Sequence, residues 1–356
     1  MEISKIGEFG LISRIDDGCV NDPSSVVQGI GDDAAVVRVS PGCMLLICTD
    51  MLVEDVHFIR CAAPWTHIGY KAVAVNLSDI AAMGGEPKHC VVSIALPPSE
   101  RVENVDRLYE GMKCLLAKDR VNLVGGDMVE SSILAISVTM VGQADEKKIK
   151  YRYGARPGDV VMVTGDLGAS AAGLHLLEAE LKSGTWTINS APDMEEQPHQ
   201  EDPRSTALRA HFLPVPRLEE SRTLVGLGPG CVTAMIDVSD GLASEVGHIC
   251  DRSGTGALIY SDLVPVSESA RMIADEAGID PLEWALFGGE DFELLFTVSK
   301  GCVRDVEDAF EAAGLCRVTA IGEITEPSLR RSIVIAGGER VDLARDGYVH
   351  FRQAFR

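Results

Sequence analysis

Short apolar, β-rich runs in this chain repeatedly end at a turn that carries an acid. The pattern appears as Gly-Asp-Asp at 31–33, Thr-Asp at 49–50, Gly-Gly-Asp at 125–127, Asp-Val-Ser-Asp-Gly at 237–241 and Gly-Gly-Glu-Asp at 288–291. Glycine at such a point lets a ligand come close to the backbone. Carboxylates gathered at one place raise one another's pKa unless a cation neutralises them. A chain built this way needs something positive at its strand ends. For any single acid the competing reading is a helix cap or a solvated turn. That reading accounts less well for all of them together with their glycine spacers.

The acids also narrow the choice of cation. No His or Cys accompanies them at metal-ligand spacing, so zinc, copper and iron are set aside. An all-oxygen set suits Mg²⁺, Mn²⁺ or Ca²⁺, and calcium would want a compact EF-hand-like loop that is absent. Mg²⁺ takes a few carboxylates and completes its shell with water and substrate phosphates. Lys plus Arg number 32 against 54 Asp plus Glu, a net charge of −22. Such a surface disfavours nucleic acid and anionic membranes as partners. Phosphates would be repelled too unless metal ions intervene. Lys71 and Arg152 are too few to neutralise a triphosphate by themselves.

The 356 residues exceed one ordinary core, so two domains are expected. The polar connector at 146–152 marks the boundary, giving domains 1–148 and 149–356. The polar stretch 183–205 reads as a mobile surface insertion with solvated acids. Ten cysteines without a Cys-x-x-Cys pair read as free thiols of a cytoplasmic protein. No signal peptide and no membrane span are expected.

Periodicity predicts helices over 5–20, 66–83, 103–118, 170–181, 217–226, 242–250, 268–277 and 303–313. The helix over 268–277 is expected to turn Met272, Ile273 and Ala277 inward. Strands are expected over 34–39 and 44–49, joined as a hairpin by Ser40-Pro41-Gly42-Cys43, with Asp32 and Asp33 at one end and Asp50 beside them. Further strands are expected at 89–96, 121–124, 133–142, 160–164, 234–236, 257–260, 319–323 and 333–335, with one more directly after 288–291. Asn76 and Asp79 share a helix face, which periodicity alone leaves open between an exposed stripe and a functional pair. The turn 165–168 before a helix is an anion-site candidate. A dinucleotide fingerprint and a P-loop are both absent.

Gly-Ile-Gly-Asp-Asp-Ala-Ala-Val at 29–36, Thr-Asp-Met-Leu-Val-Glu-Asp-Val-His-Phe at 49–58 and Tyr-Lys-Ala-Val-Ala-Val-Asn-Leu-Ser-Asp-Ile-Ala-Ala-Met-Gly-Gly at 70–85 resemble the thiamine-monophosphate kinase family. So do the motifs at 125–127, 237–242 and 288–294, in the family's order. The resemblance implies an α/β (α+β) two-domain fold shared with aminoimidazole ribonucleotide synthetase. It also implies a homodimer whose N-terminal strands form a barrel at the interface. The implied activity is ATP-dependent conversion of thiamine monophosphate to thiamine diphosphate by direct in-line transfer. Carried over by motif, Asp33, Cys48, Thr49, Asp50, Asp79, Asp127, Asp237 and Asp240 would serve Mg²⁺. Gly126, Asp127, Arg152 and Ser239 would contact ATP, and His57, Glu290 and Tyr348 the thiamine substrate. Cys48 stands where the family pattern has a small hydroxyl residue. The rival readings are a sister enzyme (aminoimidazole ribonucleotide synthetase, selenophosphate synthetase or the hydrogenase maturation dehydratase) and a non-catalytic nucleotide- or metal-binding protein. Selenophosphate synthetase would want a reactive cysteine in a glycine-rich N-terminal loop, and Cys19 lacks that setting.

Overall fold

The computed structural model describes residues 14–15, 17–28, 36–194, 202–335 and 338–343. They form two compact units. The first holds the described residues of Met1–Ile80, Gly85–Glu146 and Thr185–Glu195, the second those of Ala81–Gly84, Lys147–Gly184 and Glu196–Arg356. The helix expected over 5–20 lies largely outside the described residues, as do Asp32, Asp33 and Tyr348.

The first unit opens with a short antiparallel pair, β1 (Val26–Gln28) and β2 (Val36–Val37). Its main sheet contains β3 (Cys43–Val53), β4 (Glu86–Leu96), β5 (Asn122–Glu130) and β6 (Ala135–Asp145) in the order β3-β6-β4-β5. The pair β4/β5 is parallel and the other two are antiparallel. The expected hairpin is therefore corrected. Cys43 N–H does close a turn on the Ser40 carbonyl at 3.3 Å. Beyond that turn, however, β3 runs its full length against β6, while β2 pairs with β1. A long continuous ladder outweighs the short local pairing.

Helices α1 (Trp65–Ala82) and α2 (Val102–Lys118) belong to this unit. Leu77 and Ile80 of α1, Leu108 and Met112 of α2, and Val92, Ile94, Ile136 and Val138 of the sheet are all at most 2% exposed. Almost every residue of α1 is buried, Lys71 and Asn76 included, so no exposed stripe exists there. The segment after residue 184 joins this unit as a strap. Trp186 Nε1 donates to the Ala62 carbonyl at 3.2 Å, and His67 Nε2 donates to the Pro192 carbonyl at 2.7 Å. This part of the expected insertion is thus attached rather than free.

The second unit is built on a seven-stranded sheet. Its strands are β7 (Val160–Thr164), β8 (Val232–Asp237), β9 (Gly256–Tyr260), β10 (Leu294–Val298), β11 (Val318–Thr325), β12 (Arg331–Val334) and β13 (Arg340–Asp342), in the order β13-β12-β9-β11-β7-β10-β8. All its pairings are antiparallel except β9/β12. The helices are α3 (Ala169–Ser183), α4 (Pro203–Phe212), α5 (Leu218–Gly226), α6 (Leu242–Ser253), α7 (Glu268–Ala277), α8 (Pro281–Phe287) and α9 (Val303–Ala313). Helix α4 takes the end of the stretch read as irregular. Asp202 caps it by accepting from the Arg204 and Ser205 N–H groups. In α7 the inward residues are Ala270, Ile273 and Ala274, whereas Met272 is 46% exposed and Ala277 also faces out.

Candidate active site

In the first unit, α1 carries its polar pair to β3. Asn76 Oδ1 accepts from the Asp50 N–H at 3.1 Å, and its Nδ2 donates back to the Ala72 carbonyl at 3.1 Å. A fully buried amide is kept there because both its ends are satisfied. Asp50 and Asp79 then meet in a side-chain hydrogen bond. Burial raises the Asp50 carboxyl, while the bond to Asp79 and the nearby His57 act the other way. Two carboxylates in contact need a shared proton or a cation. From β3, Cys48 Sγ packs against the same helix and donates to the Asn76 carbonyl at 3.5 Å.

His57 is set by a tight loop. Its Nδ1 accepts from the Val53 N–H at 3.1 Å, and its own N–H donates to the Val53 carbonyl at 2.9 Å. With Nδ1 an acceptor, the ring's proton belongs on Nε2. The loop is anchored by Arg60, which pairs with Glu54 at 2.9 Å and Glu100 at 2.6 Å.

The register separates the other acid of this unit from the pair. Asp50 lies across from Val138, Val138 from Val92, and Val92 from Gly126. Asp127 is one residue further, in the row of Ser93, Ser137 and Met51. Side chains alternate along a strand, so Asp127 takes the opposite face from Asp50. The expectation that Asp127 completes one wall with Asp50 and Asp79 is corrected within this unit. Strand β5 also runs on through Gly125-Gly126-Asp127 instead of ending before it. Thr49 shares the open face, where its Oγ1 donates to the Val138 carbonyl at 3.1 Å and accepts from Thr139 Oγ1 at 3.0 Å.

In the second unit, Asp237 ends β8 at 2% exposure, and Ser239 and Asp240 form the turn into α6. Glu245, one turn into α6, accepts from the Asp240 N–H at 3.1 Å. Burial first, and then the charges of Asp237 and Asp240, push Glu245 up to about 8. Arg152 opposes this shift, which places its charge within reach of the same group. Glu245 was not singled out in the sequence. Its signal was an acid five residues past Asp240, on the helix that the motif begins.

The Gly-Gly-Glu-Asp turn docks on this group. The Glu290 N–H donates to the Ser239 carbonyl at 2.7 Å, and the Phe292 N–H to the Val238 carbonyl at 2.9 Å. Glu290 and Phe292 hold φ of 59° and 51°, a conformation L-residues rarely take. At Gly289, with φ +71°, an added Cβ would sit 2.6 Å from the Ser239 carbonyl oxygen.

Asp291 fills the anion position expected at the 165–168 turn. Its carboxylate accepts from Gly168 N–H at 2.7 Å and Ser170 N–H at 3.3 Å, at the start of α3. That helix end is therefore closed to a phosphate by the chain's own acid. Burial pushes Asp291 up to about 7, against those two hydrogen bonds. A carboxyl raised in the folded state binds its proton more tightly than in the unfolded chain. Its contribution is complete below the unfolded value of 3.8 and is lost as pH rises to about 7. In Asp291→Asn, melting temperatures at pH 5.5 and 8 should differ less than in the wild type. An unchanged difference in thermal denaturation would remove Asp291 as the source.

Two pairs of acids, Asp50/Asp79 and Asp237/Asp240 with Glu245, thus offer oxygen ligands only. Among the described residues no group of three or more His, Cys, Asp or Glu forms a ready-made metal cage. Such a set fits Mg²⁺, which leaves much of its shell to water and phosphate. No helix of the described residues is long and apolar enough to cross a membrane.

The chain matches the family models "AIR synthase related protein, N-terminal domain" over residues 31–144 and "AIR synthase related protein, C-terminal domain" over 156–334. It is 37% identical over 352 residues to the thiamine-monophosphate kinase of Bacillus subtilis (strain 168), covering 97% of this chain and 99% of that one. The crystal structure of thiamine-monophosphate kinase from Stenotrophomonas maltophilia K279a superposes with a TM-score of 0.78 at 29% identity, over 94% of this chain and 98% of that one. A relative solved in complex with AMPPCP and TMP has a TM-score of 0.71 at 32% identity, over 99% of each chain. The chain belongs to the AIR synthase-related proteins and, among them, to the thiamine-monophosphate kinase family.

Proposed function

We propose that this protein transfers the γ-phosphoryl group of ATP to thiamine monophosphate, yielding thiamine diphosphate and ADP. The observation that carries the reading is the Asp50/Asp79 contact, held by a buried Asn76, in a chain of this family. A relative that binds AMPPCP, an ATP analogue, together with TMP supports both substrates.

An oxygen of the substrate monophosphate attacks the γ-phosphorus in line. The bond to the β–γ bridging oxygen breaks as ADP leaves. That attacking oxygen is already ionised at neutral pH, so no strong general base is required. Asp33, Cys48, Thr49, Asp50, Asp79, Asp127, Asp237 and Asp240 would serve several Mg²⁺ ions, with Thr49 and Asp127 on the opposite sheet face from Cys48 and Asp50. Bound Mg²⁺ offsets the charge of the phosphates. Arg152, Ser239, Gly126 and Asp127 would hold ATP. His57, Glu290 and Tyr348 would position the thiamine moiety. Catalysis is then orientation and charge neutralisation.

A homodimer is supported by the open face of the first sheet. Ile47 is 67% exposed there, Met51 56% and Val129 52%, an apolar patch that a second copy would cover. Ten cysteines without a Cys-x-x-Cys pair suit the cytoplasm. Purified protein with ATP, Mg²⁺ and thiamine monophosphate should yield ADP and thiamine diphosphate, and the same preparation should sediment as a dimer. ATP binding without product would sink the kinase reading, and a monomer would remove the dimer.

A further inference from the structure

The geometry points to His211 as a positioning residue for Glu290, an inference that rests on the kinase reading above. His211 lies near the end of α4, with its side chain 6% exposed. Its Nδ1 is 3.6 Å from Glu290 Oε2 and 3.5 Å from Ser170 Oγ. The carboxylate accepts only, so a proton on Nδ1 serves this arrangement. The Glu290 side chain is 30% exposed, with one side against the buried imidazole.

The fold builds this contact. Helix α4 approaches α3 so closely at Gly173 that an added Cβ would lie 2.1 Å from the Ala207 carbonyl oxygen. That approach brings His211 beside Ser170. The Glu290 backbone is fixed separately, at φ 59° and through its N–H to Ser239. A strained, anchored backbone sets where the carboxylate begins, and His211 sets where it points. The thiazolium of thiamine is a cation and its aminopyrimidine a donor, so an aimed carboxylate favours it over phosphate esters whose organic part is uncharged.

Steady-state kinetics on the full-length protein test this. In His211→Ala, KM for thiamine monophosphate should rise about tenfold, while KM for ATP stays within about twofold. His211→Asn keeps a donor near the Nδ1 position and should recover most of the loss. In a Glu290→Ala background, His211→Ala should add nothing to KM for thiamine monophosphate, because the two residues act as one unit. If His211→Ala does not fold, Ser170→Ala supplies the same readout at about threefold, and it too should vanish in the Glu290→Ala background. Additive effects, or equal increases in both KM values, would overturn the inference while leaving the kinase reading intact. A folded wild-type protein that neither binds nor phosphorylates thiamine monophosphate overturns both.

Discussion

Asp50→Asn should lower the rate of ADP formation by about a thousandfold or more, the scale of losing a preorganised charge in a phosphoryl-transfer site. Its melting temperature without nucleotide should not fall. The two expectations together identify a residue kept for chemistry at a cost in stability. Asp50 is held in hydrogen-bond contact with Asp79, and its burial disfavours the charged form. The amide relieves that opposition yet leaves the backbone N–H on Asn76 untouched. A coupled ADP assay and thermal denaturation read the two quantities. Activity within tenfold of wild type would remove Asp50 from the metal set. A large loss of melting temperature would make its role structural.

Arg217→Met should produce the largest loss of stability. Arg217 grips Glu293 with two hydrogen bonds, Nε to Oε2 at 2.8 Å and Nη2 to Oε1 at 2.5 Å. Glu293 is 3% exposed, and Thr164 Oγ1 also donates to it at 2.6 Å. Stripping one partner from a buried pair costs about 3–5 kcal/mol, because the remaining charge is left uncompensated. For a unit of this size that corresponds to a fall of roughly 10 °C in melting temperature. The double variant Arg217→Met/Glu293→Met should recover part of it, since apolar replacement of a buried pair is often neutral, while Glu220, 3.6 Å from Arg217, still loses that ion pair. A single variant that melts within about 2 °C of wild type would show that the pair contributes little. The Glu293 carbonyl also accepts from the Val238 N–H at 2.7 Å, so activity should weaken along with the fold.

The elements with strong local signals were legible in the sequence. The motif at 237–241 begins a helix directly after a strand, as its residues suggest, and 66–83 closely matches α1. The face taken by Asp127 was not legible. A register shift between Cys90 and Val91 opposite Leu123–Gly125 inserts one extra residue into β5. A single bulge reverses inside and outside beyond it and leaves no mark on composition. The burial of Asn76 was hidden for a different reason. Periodicity reports a polar face only when the other face is apolar, and α1 is buried nearly all round. Helix α4 did carry a signal, the Asp202-Pro203 cap and first turn, but the polar stretch before it obscured the start. His211 was lost with that helix. The pairing of β3 with β6 rests on residues far apart in the chain, beyond the reach of turn chemistry.

The strap at 185–194 also bears on the order in which the chain matures. The Trp186 and Pro192 contacts belong to the first unit, although α3, which comes before them, belongs to the second. A ribosome that has released residues 1–146 has therefore not delivered everything the first unit needs. Nascent chains arrested before residue 185 should leave that unit more open to protease than chains arrested well past residue 195. The N-terminal half is thus completed by its own successor, and vectorial synthesis delays its closure until part of the second half has already emerged.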